Sequence, residues 1–314
     1  VWMIYVFFEL FNPSAVIEAW VYTRNSFYNF TLLVLLTSLL LSRVLDIKRI
    51  LFLLSIFTLI AIAKALIQRY IGFDAGENAW LIRSESYKTH LLPSGIRYFS
   101  IFSDAGNFGS NMGMAAVVFM ILSFYMSNKK LRYYYRFVSL LAAYGLIMSG
   151  TRGAMIVPLG GLAMFILLNK NIRYIVGGAI CLLFIYIFFA QTHIWDSNRQ
   201  IHRMRTAFHP EKDASYLVRK ANQKRLAEYM VHKPFGEGVG LAGIEGRRFS
   251  HRFTTEVPTD SHYVNIWVQF GIVGLCLHIV ILLFIITYSA YLIMFRIRNR
   301  ELKGMLIAMN CGLW

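Results

Sequence analysis

The sequence predicts an all-α fold, a polytopic transmembrane helix bundle that carries one long insertion outside the membrane. Hydrophobic residues make up 57% of the 314 residues, and the mean hydropathy is +0.52 despite a formal net charge of +16. A soluble domain with this much apolar surface would precipitate, so the composition fits a protein dissolved in lipid. Nearly uncharged runs each approach the roughly 20 residues that a helix needs to cross about 30 Å of hydrocarbon. They cover about 27–42, 50–63, 108–127, 137–151, 153–168, 174–191 and 264–295.

The distribution of Lys and Arg predicts which connections face the cytoplasm. Every second connection between the apolar runs is basic and nearly free of acidic residues, so the positive-inside rule places these connections in the cytoplasm. They are RVLDIKR (43–49), NKKLRYYYR (128–136), NKNIR (169–173) and RIRNRELK (296–303). The intervening segments then face outward, and four tryptophans lie near span ends on that side, as in an interfacial aromatic belt. These are Trp20, Trp80, Trp195 and Trp267.

The same orientation divides the chain into three parts. Residues 192–262 lie on the outer side and are too numerous for a simple connection. We expect a transmembrane helix bundle over 1–191, an outer loop domain over 192–262, and transmembrane helices over 263–314 that complete the bundle. Because the chain opens and stops inside apolar runs, we also expect it to be a fragment of a longer protein.

Arg152 lies between two apolar runs in GLIMSGTRGAMIVP, residues 145–158. Residues 137–168 are too few for two full crossings, so we expect the turn to dip into the outer leaflet within the bundle. An arginine there is costly unless it is paired or faces a wet cavity, which makes it a functional candidate. The alternative is that Arg152 reaches lipid phosphates or pairs with a structural carboxylate. Gly150 and Gly153 allow a tight turn.

The outer insert contains a predicted helix and a glycine-rich loop. YLVRKANQKRLAEYMVHKP places apolar residues at helical spacing and ends at Pro234. FGEGVGLAGIEG follows no strand and lacks the Lys-Ser/Thr of a phosphate-binding P-loop, so we interpret it as a flexible linker. Histidines in the insert lack metal-ligand spacing, and we expect no metal and no other cofactor. The positive charge suits phosphate or an anionic leaflet better than nucleic acid.

The predicted topology brings the arginines and one acid and imidazole pair to the outer side. The set comprises Arg97, Arg152, the insert's arginines, Asp260 and His262. Arginine suits phosphate because its planar fork donates two hydrogen bonds to one anion and stays charged. A carboxylate or imidazole nearby suits a general base. The pattern predicts an outward-facing site that binds an anionic, lipid-borne group, such as a diphosphate, and deprotonates a neighbouring group.

Five motifs, in this order and at these positions relative to the spans, resemble the O-antigen ligase and polymerase family of bacterial envelope enzymes. The resemblance extends over about residues 10–290. The motifs are LFNP, RYFSIFSDAGNFG, SGTRGA, HKPFGEGVGLAG and DSHYVNIWVQFGIVG.

The resemblance implies a metal-independent glycosyltransferase with a GT-C-like bundle in the bacterial inner membrane and its active site in the periplasm. The donor would be a glycan on undecaprenyl diphosphate. The acceptor hydroxyl would belong to lipid A core for a ligase, or to another lipid-linked glycan for a polymerase. By match to the family's positions, Arg97, Arg152 and Arg219 would bind the diphosphate and neutralise the charge that builds on it.

The general base stays open between two residues. The family's signature is a histidine followed by Asn, Ser or Gln, then nine residues, then G-x-x-G. Counting back from Gly271 places Asp260 in the histidine position, while His262 lies two residues later. Either Asp260 is the base, or a helical offset lets His262 reach the same point, or this position only orients the acceptor. Imidazole suits proton transfer at neutral pH because its ordinary pKa is near 6.5.

Two other classes of function remain in view. A transporter or flippase of an anionic lipid-linked substrate also needs intramembrane arginines, but we would expect internal repeats or paired breaks in its helices, and no convincing repeat is present. A noncatalytic scaffold would place all function in the insert. Replacement of Arg97 and Arg152 would then have no effect.

Overall fold

The computed structural model describes residues 1–41, 43–93, 95–169, 172–195, 197–208 and 214–312. These residues are mostly helical, and their sheet structure is one antiparallel pairing of β1 (Leu91–Leu92) with β2 (Gly95–Ile96). The predicted all-α fold class is confirmed. The α-helices are α1 (Trp2–Phe8), α2 (Ile17–Leu40), α3 (Val44–Tyr70), α4 (Ala75–Arg83), α5 (Tyr87–His90), α6 (Ala105–Tyr125), α7 (Lys129–Ser149), α8 (Ile156–Leu168), α9 (Ile172–Tyr186), α10 (Arg199–Arg205), α11 (Ala214–Met230), α12 (Phe253–Glu256), α13 (His262–Phe295) and α14 (Arg300–Gly312).

Each predicted apolar run lies largely on a helix of the described residues. Within the described residues, four helical segments are long and apolar enough to cross a membrane, while Trp2–Phe11 and Arg152–Leu168 are shorter apolar segments. The chain is therefore an all-α polytopic membrane protein. The four candidate spans are Val44–Tyr70, Ala105–Tyr125, Ile172–Gln191 and His262–Phe295.

The chain divides into two compact units. The first unit comprises Val1–Ser42 and Glu211–Tyr288, and the second comprises Arg43–Pro210 and Ser289–Trp314. This division reflects packing within the chain. It does not test the predicted division at residues 191 and 262 into membrane and periplasmic parts, which stays a prediction.

Helix α6 lies at the centre of the second unit and packs against α7, α8 and α14. Phe108, Phe119 and Ile121 of α6 are fully or almost fully buried. The helices approach closely because glycines replace larger side chains: a β-carbon at Gly113 would lie 3.0 Å from Cδ of Pro158 in α8. Small residues at such contacts are typical of helix packing in membranes, where van der Waals contact drives association.

Three of the four basic segments meet at one end of the second unit. The carboxylate of Glu301 accepts hydrogen bonds from Lys48 Nζ at 2.6 Å and from the backbone amide of Ser127 at 3.0 Å. Segments that meet at one end of the unit lie on the same side of the membrane, as the distribution of Lys and Arg predicts for these three. Helix α6 runs about 30 Å from this end toward the segment that carries Arg97. Which end faces the cytoplasm stays a prediction.

In the first unit, α13 is broken at Gly271. This residue has φ 66° and ψ −171°, and the break separates the helical arms 262–270 and 272–295. A helix break leaves carbonyl and amide groups without their usual partners, and in a membrane they need other partners within the protein. The loop before α13 supplies them. Glu237 N donates to Val268 O at 2.9 Å, Gly238 N donates to Gln269 O at 3.0 Å, and Val273 N donates to Pro234 O at 3.2 Å.

The interpretation of the glycine-rich segment as a flexible linker is wrong. Residues 236–239 are buried, and Gly240 N donates to the side chain of Gln269 at 2.7 Å. A β-carbon at Gly271 would overlap the carbonyl oxygen of Pro234, so glycine is needed there for close approach as well as for its backbone angles. The helix predicted before this loop is present as α11, and it ends at Met230, before Pro234.

Candidate functional site

Arg97 follows the short hairpin of the second unit. The hairpin pairs Leu91 with Ile96, and Arg97 N continues the ladder by donating to His90 O at 2.8 Å. The Arg97 guanidinium donates from Nη1 to Thr89 O at 3.1 Å and from Nη2 to Thr151 Oγ1 at 2.9 Å. Both its backbone and its side chain are therefore held in place.

A buried histidine supports this hairpin. The backbone amide of Ala105, the first residue of α6, donates to His90 Nε2 at 3.3 Å, so the ring proton lies on Nδ1, which donates to Ser86 O at 2.9 Å. The ring also packs against Trp80 and Phe99. Burial, with a further contribution from the charge of Arg97, lowers the pKa of His90 below its ordinary value. The neutral ring thus links the hairpin to the start of α6.

The predicted tight turn between α7 and α8 is present. Gly150 follows α7 with φ 55°, a left-handed conformation that favours glycine. Ser149 Oγ accepts a hydrogen bond from Thr151 N at 3.1 Å. The Thr151 hydroxyl accepts from Arg97 and donates to Ala105 O at 2.9 Å, which ties the turn to the start of α6.

Arg152 begins the 3-10 segment Arg152–Met155 and is half-buried. Its Nη1 donates to Thr206 Oγ1 at 2.8 Å, and the Thr206 hydroxyl donates to Arg203 O at 2.7 Å. Arg97 thus contacts the residue that directly precedes Arg152, since it binds the hydroxyl of Thr151. The structure brings these two predicted residues together.

Arg203 was not singled out from the sequence among the arginines of the insert. It lies on α10, whose sequence RQIHRMR places Arg199 and Arg203 four residues apart, on one face of a helix. A β-carbon at Gly150 would lie 3.4 Å from Cγ of Arg97 and 3.8 Å from Cδ of Arg203. The spacing of Arg199 and Arg203 was the signal that the sequence offered. Only the fold places Arg203 beside the turn at Gly150.

An open cavity of about 300 Å³ lies beside this cluster. It occupies the space between β2 and the start of α10, where the β-carbon of Arg199 approaches Gly95. Its lining combines polar and apolar residues. The lining residues are Gly95, Ile96, Tyr98, Asn198, Arg199 and Gln200.

The other three predicted site residues belong to the first unit. Arg219 is exposed on α11. Asp260 is exposed in the segment before α13, and His262 is the first residue of α13. The imidazole of His262 lies 5.6 Å from that of His278, measured between ring centroids.

His278 was not recognised from the sequence. Sixteen residues of straight helix would separate it from His262 by about 24 Å, so the break at Gly271 creates the contact. The ring centroid of Trp2 lies 4.8 Å from that of His278. A histidine inside an otherwise uncharged apolar run was the signal, because ionisable residues in membrane spans are functional candidates.

A buried carboxylate holds the glycine-rich loop of the first unit. Glu237 is 1% exposed and accepts hydrogen bonds from Lys233 Nζ and from Arg252 Nη1, the latter at 2.9 Å. Arg252 also donates to Ser14 O at 2.6 Å. Burial opposes ionisation of Glu237, but hydrogen bonds from Lys233, Tyr229 and Arg252 and the charge of Lys233 together outweigh it and lower the pKa of the carboxyl. The loop that covers the break in α13 is thus fixed by an ion-pair network.

The described residues contain no group of three or more His, Cys, Asp or Glu side chains that could hold a metal ion. The arginine side chains of the second unit can bind an anion. In the first unit, Asp260 or His262 can transfer a proton.

Comparison with known proteins adds one match. Residues 137–279, somewhat less than half of the chain, match the family model described as O-antigen ligase. The searches of curated proteins and of solved structures each found no match. The matched segment includes Arg152, Arg203, Arg219, Asp260 and His262, whereas Arg97 precedes it.

Proposed function

We infer that this chain, whose residues 137–279 match the family model described as O-antigen ligase, is a membrane glycosyltransferase of the O-antigen ligase or polymerase type. It moves a glycan from undecaprenyl diphosphate to an acceptor hydroxyl on the periplasmic face of the bacterial inner membrane. The acceptor is lipid A core or the end of another lipid-linked glycan. The observation that carries this proposal is the approach of Arg97 to the turn of Arg152: the Arg97 guanidinium binds Thr151, the residue before Arg152, and the Arg152 guanidinium binds Thr206.

The two arginines bind the diphosphate of the donor. Negative charge grows on the diphosphate as its bond to the sugar breaks, and fixed cations stabilise that charge most in a poorly hydrated site. Fixed orientation matters because side chains that must reorganise during the reaction stabilise the transition state less. The hydrogen bonds to Thr89 and Thr151 supply it for Arg97. We retain Arg219 as a further diphosphate contact on the basis of the sequence match.

Asp260 or His262 acts as the general base. The base takes the proton of the acceptor hydroxyl while that oxygen bonds to the anomeric carbon of the donor sugar. The bond between that carbon and the diphosphate oxygen breaks, and both of its electrons leave with undecaprenyl diphosphate. The protonated base then returns its proton to water or to the leaving diphosphate. No metal is assigned to any step.

Sidedness follows from the proposed topology. The basic segments that meet at Glu301 lie in the cytoplasm, and the turn with Arg152 lies about one helix length away, at the periplasmic side. Residues 1–191 and 263–314 then form the transmembrane bundle, and residues 192–262 form the periplasmic loop domain.

Replacement of the arginines tests the proposal. In a host that lacks the gene, Arg97→Ala and Arg152→Ala should each lower glycan transfer by about a hundredfold or more while the protein stays in the membrane. Arg152→Lys should also impair transfer because the fork geometry is lost. Arg83→Ala, at an exposed arginine of the same unit, is the matched control. Near-normal transfer by Arg97→Ala or Arg152→Ala would overturn the proposed site.

The same host separates the remaining alternatives. If the chain is a ligase, a gel of the surface polysaccharide from the host that lacks the gene should show lipid A core without polymer. Lipid-linked polymer should accumulate in the same cells. Products with a single repeat indicate a polymerase. Asp260→Asn and His262→Gln, made separately, identify the base, since the residue whose loss spares transfer is not the base.

A further inference from the structure

The geometry points to Arg203 as a third guanidinium of the second unit that binds the same phosphoryl oxygens as Arg97 and Arg152. This inference rests on the proposed function and adds a binding residue to it. Arg203 comes from α10, a part of the insert distant in sequence from both other arginines.

The turn at Gly150 brings Arg203 to Arg97. Cγ of Arg97 and Cδ of Arg203 both lie within 4 Å of the point that a β-carbon of Gly150 would occupy. The Nε atoms of these two arginines are buried, while the side chain of Arg203 as a whole is half-buried. The two stems therefore pass beside the same glycine, and a β-carbon at position 150 would be in van der Waals contact with both.

The hydroxyl of Thr206 links the Arg152 side chain to the backbone of Arg203. Thr206 accepts a hydrogen bond from the Arg152 guanidinium and donates one to the carbonyl oxygen of Arg203. The start of α10 is fixed as well, because Asn198 Oδ1 accepts from Gln200 N at 3.0 Å. Arg203 thus sits on a helical turn whose two ends are both held, one of them by Arg152 itself.

The charge of the ligand explains the use of a third cation. A diphosphate joined to both a lipid and a sugar gains a further ionised oxygen when the bond to the sugar breaks. An additional guanidinium near that oxygen stabilises the transition state and the product more than the bound donor.

Pyrophosphate binding tests the inference. The full chain in lipid nanodiscs is titrated with inorganic pyrophosphate by calorimetry at low salt, for wild type and for Arg97→Gln, Arg152→Gln and Arg203→Gln. We expect Arg203→Gln to weaken binding by about tenfold or more, because a hydrogen bond between charged groups is lost. Arg203→Lys should bind with intermediate affinity. Arg83→Gln is the control for loss of one surface charge.

The outcomes separate this inference from the proposed function. Weaker binding by Arg203→Gln with an unchanged thermal midpoint supports it, and partial recovery in Arg203→Lys shows that charge, rather than packing, is responsible. If Arg97→Gln and Arg152→Gln weaken binding but Arg203→Gln binds as wild type, Arg203 is not part of the site and the proposed function stands. If none of the three variants changes binding or glycan transfer, both are wrong.

Discussion

Replacing Gly271 with alanine tests whether the break in α13 is held by the glycine-rich loop. The new β-carbon would overlap the carbonyl oxygen of Pro234, and backbone cannot move aside as a flexible side chain can. Alanine is also strained at φ 66°. We expect residues 234–238 to separate from the break.

The magnitude follows from the contacts that this separation removes. Three backbone hydrogen bonds join the loop to the two helical arms, through Glu237 N, Gly238 N and Val273 N. Each contributes about 1 kcal/mol net. Alanine at φ 66° and ψ −171°, a conformation that is essentially restricted to glycine, adds about 1 to 3 kcal/mol of strain. The variant should therefore lose on the order of 5 kcal/mol of stability in this region.

Hydrogen exchange of the full chain in nanodiscs measures this loss directly. The Gly271→Ala variant should show faster amide exchange over residues 234–240 and over the arm 262–270, together with a lower thermal midpoint. Gly177→Ala is the matched control, because its β-carbon would meet no atom within 4 Å. Unchanged exchange and an unchanged midpoint for Gly271→Ala would show that the loop does not hold the break.

Two predictions concern pH. Hydrogen bonds from Lys48 and Ser127 lower the pKa of Glu301 to about 2, so its contribution to folding is present above its ordinary pKa and is lost as pH falls toward about 2. At neutral pH the thermal midpoint of Glu301→Gln should lie below that of wild type, by an amount equivalent to on the order of 1 kcal/mol. The two midpoints should converge in acid. A difference that stays constant with pH would contradict this role of Glu301. Burial lowers the pKa of His90, so its contribution is present above its ordinary pKa and is lost as pH falls below it. Between about pH 7 and pH 5, wild type should lose stability faster than His90→Gln, because protonation removes the acceptor for Ala105 N; equal slopes would exclude this role.

The membrane helices could be predicted from local composition. An apolar run of sufficient length is helical in lipid wherever it occurs, because every backbone polar group needs a partner within its own segment. Runs such as 50–63 and 108–127 therefore match α3 and α6. The tight turn with Arg152 was predictable for the same reason, since glycines and polar residues interrupt two apolar runs.

The break in α13 could not be predicted in this way. Its apolar run continues past Gly271 without interruption, and a glycine inside such a run is equally compatible with close helix packing. The deciding interactions come from residues 234–240, which read as a linker because glycines are also typical of flexible segments. The contact between His262 and His278 depends on that break, so it was equally hidden.

The sequence by itself determined the fold class, the basic connections and the identity of Arg97 and Arg152 as candidates, because hydropathy and charge act locally and are written residue by residue. Only the tertiary structure decided that Arg97 binds Thr151, that Arg203 joins it at Gly150, and that the glycine-rich loop covers a broken helix. Those arrangements depend on hydrogen bonds and close contacts between segments tens of residues apart, which no local pattern of residues specifies.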